Sequence, residues 1–176
     1  NNLLLYVDGA RLGAAMASNL SDIKFEELAQ FADAFYIGGT KNGALNGEAV
    51  VIVNSELKPY FRYNMKQKGA LGAKGRLTGI QFDVLFTDKL YFKLAEHANK
   101  MAMKLADGIK TKGYSFFSEP QSNQIFPIFP DAVADRLAQN FGFYIWTKYD
   151  TSSSVARLVC SWATKEEAVD AFLREL

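Results

Sequence analysis

An unbroken apolar run, Leu3-Leu4-Leu5-Tyr6-Val7, opens the chain and stops at Asp8. Apolar residues in succession, without polar alternation, predict a parallel strand covered on both faces. Ser21 or Asp22 can then cap a helix carrying Phe25, Leu28, Ala29 and Ala32 on one side. Ala34-Phe35-Tyr36-Ile37 predicts a second buried strand, broken by Gly38-Gly39. Strand, helix and strand form a βαβ unit with a right-handed crossover. Ligands of such sheets lie beyond the carboxyl ends of the strands, where Asp8 and Lys41 both fall. A further strand, residues 49–53 after Gly47-Glu48, can pair beside the second one.

The pattern then turns helical. Residues 59–76 are basic and punctuated by glycine, predicting a helix with a break at 69–75. Residues 86–109 predict one long helix with Leu90, Leu94, Ala98, Met101 and Leu105 along a single stripe, closed by Gly113. Beyond it the pattern changes to short strands at 114–117, 124–128, 143–148 and 155–162. Helices at 131–140 and 165–176 are expected to be capped by Asp131 and Thr164, and residues 150–154 form a polar turn. The chain therefore divides into an α/β part, residues 1–110, and a small α+β subdomain, residues 111–176.

Composition narrows the functions this fold could serve. Lys and Arg total 20 against 19 Asp and Glu, which leaves no net field to recruit nucleic acid or an anionic membrane. A 49% hydrophobic and 22% charged chain is ordinary for a soluble globular protein, and its apolar runs are strand-sized rather than membrane-spanning. The single cysteine, Cys160, excludes an internal disulfide and reads as a small core residue. The first residues, Asn1-Asn2 included, are too short and uncharged for a signal peptide and read as a strand that begins at once. The expectation is a cytoplasmic protein whose chain starts in the middle of a larger one.

Candidate chemistry centres on Lys41, in Ile37-Gly38-Gly39-Thr40-Lys41-Asn42-Gly43, and on Asp8, in Asp8-Gly9-Ala10-Arg11. An amine and a carboxylate on one sheet edge are what pyridoxal phosphate requires: the amine binds it covalently and the carboxylate keeps its pyridine nitrogen protonated. Gly38, Gly39 and Gly43 would let backbone approach a bulky ligand, and Gly9-Ala10 would let a flat ring lie close. Arg11 adds fixed positive charge. Arg157, inside the apolar run Val155 to Cys160, suits a bidentate clamp on a substrate carboxylate. His97 is the sole histidine, so no histidine-based metal cluster is expected. The basic residues Arg62, Lys66, Lys68, Lys74 and Arg76 read mainly as a solvated face, with a phosphate or nucleic-acid patch as the alternative.

Taken together, these residues resemble the threonine aldolase and β-eliminating lyase family. The resemblance is carried by Tyr6-Val7-Asp8-Gly9-Ala10-Arg11-Leu12-Gly13-Ala14-Ala15, by Gly38-Gly39-Thr40-Lys41-Asn42-Gly43 and by the basic glycine run 66–76. Ser122-Asn123-Gln124 and Arg157-Leu158-Val159-Cys160-Ser161-Trp162 extend it to the end of the chain. It implies an α/β fold, part of the fold type I large domain of pyridoxal-phosphate enzymes (a mainly parallel sheet) followed by a C-terminal α+β small subdomain. It implies Lys41, Asp8, Arg11 and Thr40 about the cofactor, and Arg157 with Arg11 about the substrate. Arg62, Lys68 and Arg76 are further candidates from the basic segment. Members of the family are about twice as long. Their phosphate-cupping loop and ring-stacking residue are expected upstream of Asn1, making this chain the C-terminal half.

The activity implied is cleavage of β-hydroxy-α-amino acids, as in threonine to glycine plus acetaldehyde, by a homodimer or homotetramer acting on a small amino-acid substrate. Neither nucleic acid nor membrane is an expected partner. β-Elimination or transamination on the same fold would use nearly the same residues. A non-catalytic α/β module binding phosphate or nucleic acid is the alternative from another class.

Overall fold

The computed structural model describes residues 3–176. Contacts divide the chain into two compact units, residues up to Met16 with Ser21–Lys93, and Ala17–Leu20 with Leu94–Leu176.

In the first unit, β1 (Tyr6–Val7) runs parallel to β2 (Ala34–Gly38), with Tyr6 opposite Ala34. On the other edge of β2, β3 (Glu48–Ile52) pairs antiparallel, with Gly38 opposite Glu48. The first strand is shorter and more open than its apolar run predicts: Leu3 is 81% and Tyr6 58% exposed. With one neighbouring strand among the described residues, these side chains have too little cover to be buried. The two asparagines included in that expectation lie outside the described residues.

Between the strands, α1 (Leu12–Met16) buries Leu12 and Ala14. A single 3₁₀ stretch, Phe25–Gln30, replaces the longer helix expected over this crossover. It starts after Lys24, whose N–H donates to the Glu27 carboxylate at 2.8 Å, while Ser21 turns its hydroxyl to the Ile23 carbonyl instead of capping. Leu28 and Ala32 alone of the expected face are buried, and one tight turn suffices for that spacing.

The basic segment holds α2 (Phe61–Gln67) and then α3 (Arg76–Phe86), separated by an irregular stretch with Gly69 at φ +74°. The long helix begins later than its apolar stripe suggests. Asp88 and Lys89 adopt φ of +50° and +59°, and only then does α4 (Leu90–Thr111) start. A repeat of apolar positions does not register a backbone reversal between two helices. The local signal was Asp88, a residue type that tolerates left-handed geometry.

Tyr91, in the first turn of α4, joins three segments of the first unit. Its hydroxyl accepts from the Gly13 N–H and donates to the Gly38 carbonyl, each at 3.1 Å. Its own carbonyl accepts from Asn42 Nδ2 at 2.7 Å. The ring is fully buried, stacked on Phe86 at 5.2 Å, with Phe25 and Phe92 packed against it. Burial pushes the hydroxyl up to about 12, so it keeps its proton and can donate.

The second unit packs the rest of α4 against a small sheet. Gly113, at φ +86°, ends the helix, and the Tyr114 N–H returns to the Ile109 carbonyl. The sheet elements are β4 (Gln124–Ile125), β5 (Ile128–Pro130), β6 (Tyr144–Lys148) and β7 (Ser153–Val159). All pair antiparallel with β7, which has β4 and β5 along one edge and β6 along the other. The strand expected over 124–128 is split because Pro127 has no N–H to give, although its carbonyl accepts from Ala156 N–H. Residues 114–117 contribute only a bridge between Phe116 and Pro127.

Two helices complete this unit, α5 (Asp131–Leu137) and α6 (Glu166–Glu175). Neither has the cap expected of it. Asp131 lies inside the first turn of α5 and accepts from Lys148 and Ser154, tying the helix to the β6–β7 hairpin. Thr164 accepts from the Ser161 N–H, and Lys165 precedes α6. The core gathers Met101, Leu105, Ile109, Ile125, Phe129, Leu137, Ala156, Leu158 and Phe172. Cys160 joins them, and burial pushes its thiol up to about 11. Among the described residues no helix is long and apolar enough to cross a membrane.

Replacing Tyr91 with phenylalanine keeps the ring and strands the buried Gly13 N–H and Gly38 carbonyl. Loss of both bonds should cost about 2–3 kcal/mol, read as a lower denaturant midpoint at unchanged slope. An unchanged midpoint would show that the hydroxyl does not hold these segments.

Candidate functional site

Asp8 stands immediately after β1, and Lys41 lies in a 3₁₀ turn, Thr40–Asn42, shortly after β2. The two strands are parallel neighbours, so both residues occupy one edge of the sheet. The glycines here let chain approach chain. A Cβ on Gly9 would lie 1.6 Å from the Tyr36 carbonyl oxygen, and one on Gly38 would lie 2.5 Å from the Gly9 and Ala10 carbonyls. Gly39 is similarly closed in by the Gly47 carbonyl and the Phe82 ring. Room for a ligand, the expectation for Gly9, Gly38 and Gly39, is thus not what their missing side chains provide.

The turn that carries Lys41 is held from several directions. The Gly39 N–H donates to Glu48 Oε2 at 2.6 Å, the Asn42 and Ala44 N–H groups both return to the Gly39 carbonyl, and Gly43 reverses the chain at φ +105°. Asn42 is buried and bonded to Tyr91, whereas its neighbours Thr40 and Lys41 are exposed. The Lys41 amine makes no hydrogen bond or ion pair with any described residue, but its charge acts on Asp8.

Asp8 is an exposed carboxylate with an organised set of donors. Its Oδ1 accepts from the Tyr36 hydroxyl and from the Ala10 N–H, the latter at 3.0 Å. Its Oδ2 has no hydrogen-bond donor among the described residues. The Tyr36 bond most of all, then the Ala10 bond, and the charges of Lys41 and Arg11 hold the carboxyl below its ordinary 3.8. The same bond pushes the Tyr36 hydroxyl up to about 12. The result is a carboxylate kept ionised, with Oδ2 free of donors among the described residues, on the same sheet edge as an amine that bonds to none of them. That donor set fits a flat cationic ring nitrogen and an aldehyde, the two ends pyridoxal phosphate offers.

The remaining candidates are placed as follows. Arg11 lies half-buried where α1 begins, close enough for its charge to act on Asp8. Arg62 on α2, Lys68 just after it and Arg76 at the start of α3 are exposed, and no side-chain hydrogen bond or ion pair ties them to described residues. Arg157, on β7 of the second unit, is half-buried, with Nε and Nη2 both donating to Gln124 Oε1 at 2.9 and 2.6 Å. His97 bonds through Nε2 to the Thr164 carbonyl at 2.8 Å, a local tie within the second unit. Three contributors have no role in the sequence reading: Tyr36, named only as a strand residue, and Asn42 and Gln124, named only within motifs. Tyr36 could have been found, since a tyrosine in a buried strand needs a partner for its hydroxyl.

Comparison with known proteins gives this arrangement a lineage. The model of the beta-eliminating lyase family matches residues 1–131. A low specificity L-threonine aldolase from Pseudomonas aeruginosa is 32% identical over 178 residues, covering 99% of this chain and 50% of the relative. A solved threonine aldolase from Leishmania major superposes with a TM-score of 0.95 at 42% identity, over 98% of this chain and 50% of that one. A NifS-like protein shares the fold at a TM-score of 0.64 and 17% identity, with 98% and 50% covered. The fold is that of fold type I pyridoxal-phosphate enzymes. Within it, the chain belongs to the beta-eliminating lyase family. It spans about half the length of the relatives it matches.

Because Asp8 is held below its ordinary value, what its bonds add to stability is present above pH 3.8 and is lost as pH falls through the lower folded-state value. Tyr36→Phe should move the Asp8 titration, followed by carboxyl NMR shifts, upward toward 3.8. Asp8→Asn should bring the Tyr36 phenol, followed by ultraviolet titration, down from about 12. If neither titration moves, the pairing is not what sets them.

Proposed function

We propose that the protein carrying this chain is a pyridoxal-phosphate-dependent lyase of β-hydroxy-α-amino acids, converting threonine to glycine and acetaldehyde. The observation that carries this reading is the pairing of Asp8 and Lys41 past two adjacent parallel strands. Similarity to the Leishmania major and Pseudomonas aeruginosa threonine aldolases supports the substrate class.

In this reading Lys41 holds the cofactor covalently through Nζ, Asp8 meets its pyridine nitrogen, and Thr40 and Arg11 contact it. When bound, pyridoxal phosphate supplies an electron sink for the pair released as the substrate Cα–Cβ bond breaks. Asp8 suits its part because Tyr36 and Ala10 keep it ionised without covering Oδ2. The Lys41 amine would also serve as the proton carrier at the substrate Cα. Arg157 binds the substrate carboxylate, and Arg11 is a second contact for it. Residues 1–110 act as part of the cofactor domain and 111–176 as the small subdomain. The assembly is a cytoplasmic homodimer or homotetramer, with Arg62, Lys68 and Arg76 of the basic segment reaching toward the site.

Two substitutions in the complete protein should differ in kind. Lys41→Ala should abolish turnover and also remove the visible absorbance of lysine-bound cofactor. Asp8→Asn should keep that absorbance and slow the chemical step by at least about a hundredfold, because asparagine preserves shape but no longer favours a protonated ring. Equal, mild losses from both would place the chemistry elsewhere. Acetaldehyde release from threonine separates aldol cleavage from elimination or transamination.

A further inference from the structure

The sheet of the second unit presents Arg157 with two neighbours that have no part in the reaction described above. Leu158 and Ala156 on β7 and Ile125 on β4 are core residues. Arg157 alternates with them and points to the other face. Gln124 pairs with Val159, which puts it diagonally across from Arg157 on that face. On the other edge of β7, Tyr144 and Ile145 pair with Arg157 and Ala156, and the register then skips to Thr147 opposite Val155. Trp146 is the extra residue of this bulge. Bulges re-aim side chains, and the Trp146 ring lies 5.7 Å from the Arg157 guanidinium carbon. Phe126 steadies the indole in an edge-on contact at 5.5 Å.

We infer that Gln124 and Trp146 are positioning residues for Arg157, fixing its guanidinium while leaving its charge available to a carboxylate. The inference rests on the reading of Arg157 as the substrate-carboxylate anchor. Gln124 Oε1 takes the Nε–H and one N–H of Nη2, along one side of the planar fork. Nη1 has no hydrogen-bond partner among the described residues, so the outer end of the fork stays open to both oxygens of a carboxylate. The neutrality of the acceptor is the essential point. A glutamate in the same place would orient the fork equally well, but its negative charge would compete with the ligand's. Trp146 adds attraction through its ring face, which likewise leaves the in-plane donors unused. The residue pattern at this site is therefore a carboxylate receptor with a neutral aligner on one side and an aromatic one above.

The test uses the complete protein with its cofactor and five variants: Gln124→Glu, Gln124→Met, Trp146→Leu, Trp146→Phe and Arg157→Ala. For each, KM and kcat for L-threonine are measured, with inhibition by 1-amino-2-propanol, which is threonine without its carboxylate. Glycine binding is followed by calorimetry, and thermal midpoints report folding. Gln124→Glu should raise KM and weaken glycine by roughly tenfold or more, while inhibition by the amino alcohol stays as in the parent. Gln124→Met, which keeps shape without an acceptor, should fall between the two. Trp146→Leu should weaken glycine by about threefold, and Trp146→Phe should restore it. Arg157→Ala should lose the preference for the carboxylate-bearing ligand altogether. If Arg157→Ala loses that preference but Gln124→Glu and Trp146→Leu bind glycine like the parent, the positioning inference is overturned and the anchor reading survives. If Arg157→Ala keeps the preference, the anchor reading fails and the inference fails with it. A variant that weakens both ligands alike, or lowers the thermal midpoint in proportion, has lost structure rather than alignment, and that result too goes against the inference.

Discussion

A tyrosine hydroxyl placed in a dry core has to find partners, and Tyr91 finds them in the segments that shape the sheet edge. It takes the Gly13 N–H from α1 and gives its proton to the Gly38 carbonyl at the end of β2. The Asn42 side chain reaches its main-chain carbonyl from the lysine turn. Without water as an alternative partner, each bond is costly to leave unmade, so the three segments are fixed together rather than singly. The aromatic group of Phe25, Phe86 and Phe92 encloses this polar centre. The exposed lysine is thereby carried on a turn whose anchoring residue, Asn42, is buried.

Electrostatics at the sheet edge follow from the same packing. Because Gly9 and Gly38 lack side chains, the end of β1 can settle against β2 closely enough for Tyr36 to reach Asp8. One proton-bearing phenol and one backbone N–H then hold the carboxylate ionised from the same oxygen. Solvent exposure of the site makes these local bonds, rather than burial, the source of its charge state. In the second unit the same logic recurs with opposite sign: a neutral amide oxygen aligns a guanidinium without cancelling it.

What was legible in the sequence was local. The strands at Ala34–Gly38 and Glu48–Ile52 follow from apolar runs bounded by glycine, and the adjacency of Asp8 and Lys41 follows from the parallel pairing of two such runs. The helix stripe through Ala98, Met101 and Leu105 is buried as its period requires. Illegible were features that depend on a residue meeting a distant partner. Tyr91 reads as one more apolar position until Gly13 and Gly38 are beside it. Trp146 reads as a regular strand residue, because a bulge is a mismatch between two strands and leaves no mark on either alone. The break at Asp88 and Lys89 was hidden by an apolar period that continues across it; Asp131 turns from its expected cap to Lys148 and Ser154 across the fold, and Thr164 to the nearby Ser161 N–H. At the site, the chemical residues were visible as types, and the groups that tune them were not.

The open side of β1 has a practical consequence. Leu3, Leu4, Leu5 and Tyr6 are all at least half exposed, carry no charge between them and contain no proline. Natural edges of this kind are guarded by lysines, bulges or a covering layer, and none of these guards β1 among the described residues. Handled with that edge bare, the polypeptide should tend to associate with other copies through these apolar side chains. Its colloidal behaviour would then be governed by a few uncovered leucines rather than by its nearly balanced charge.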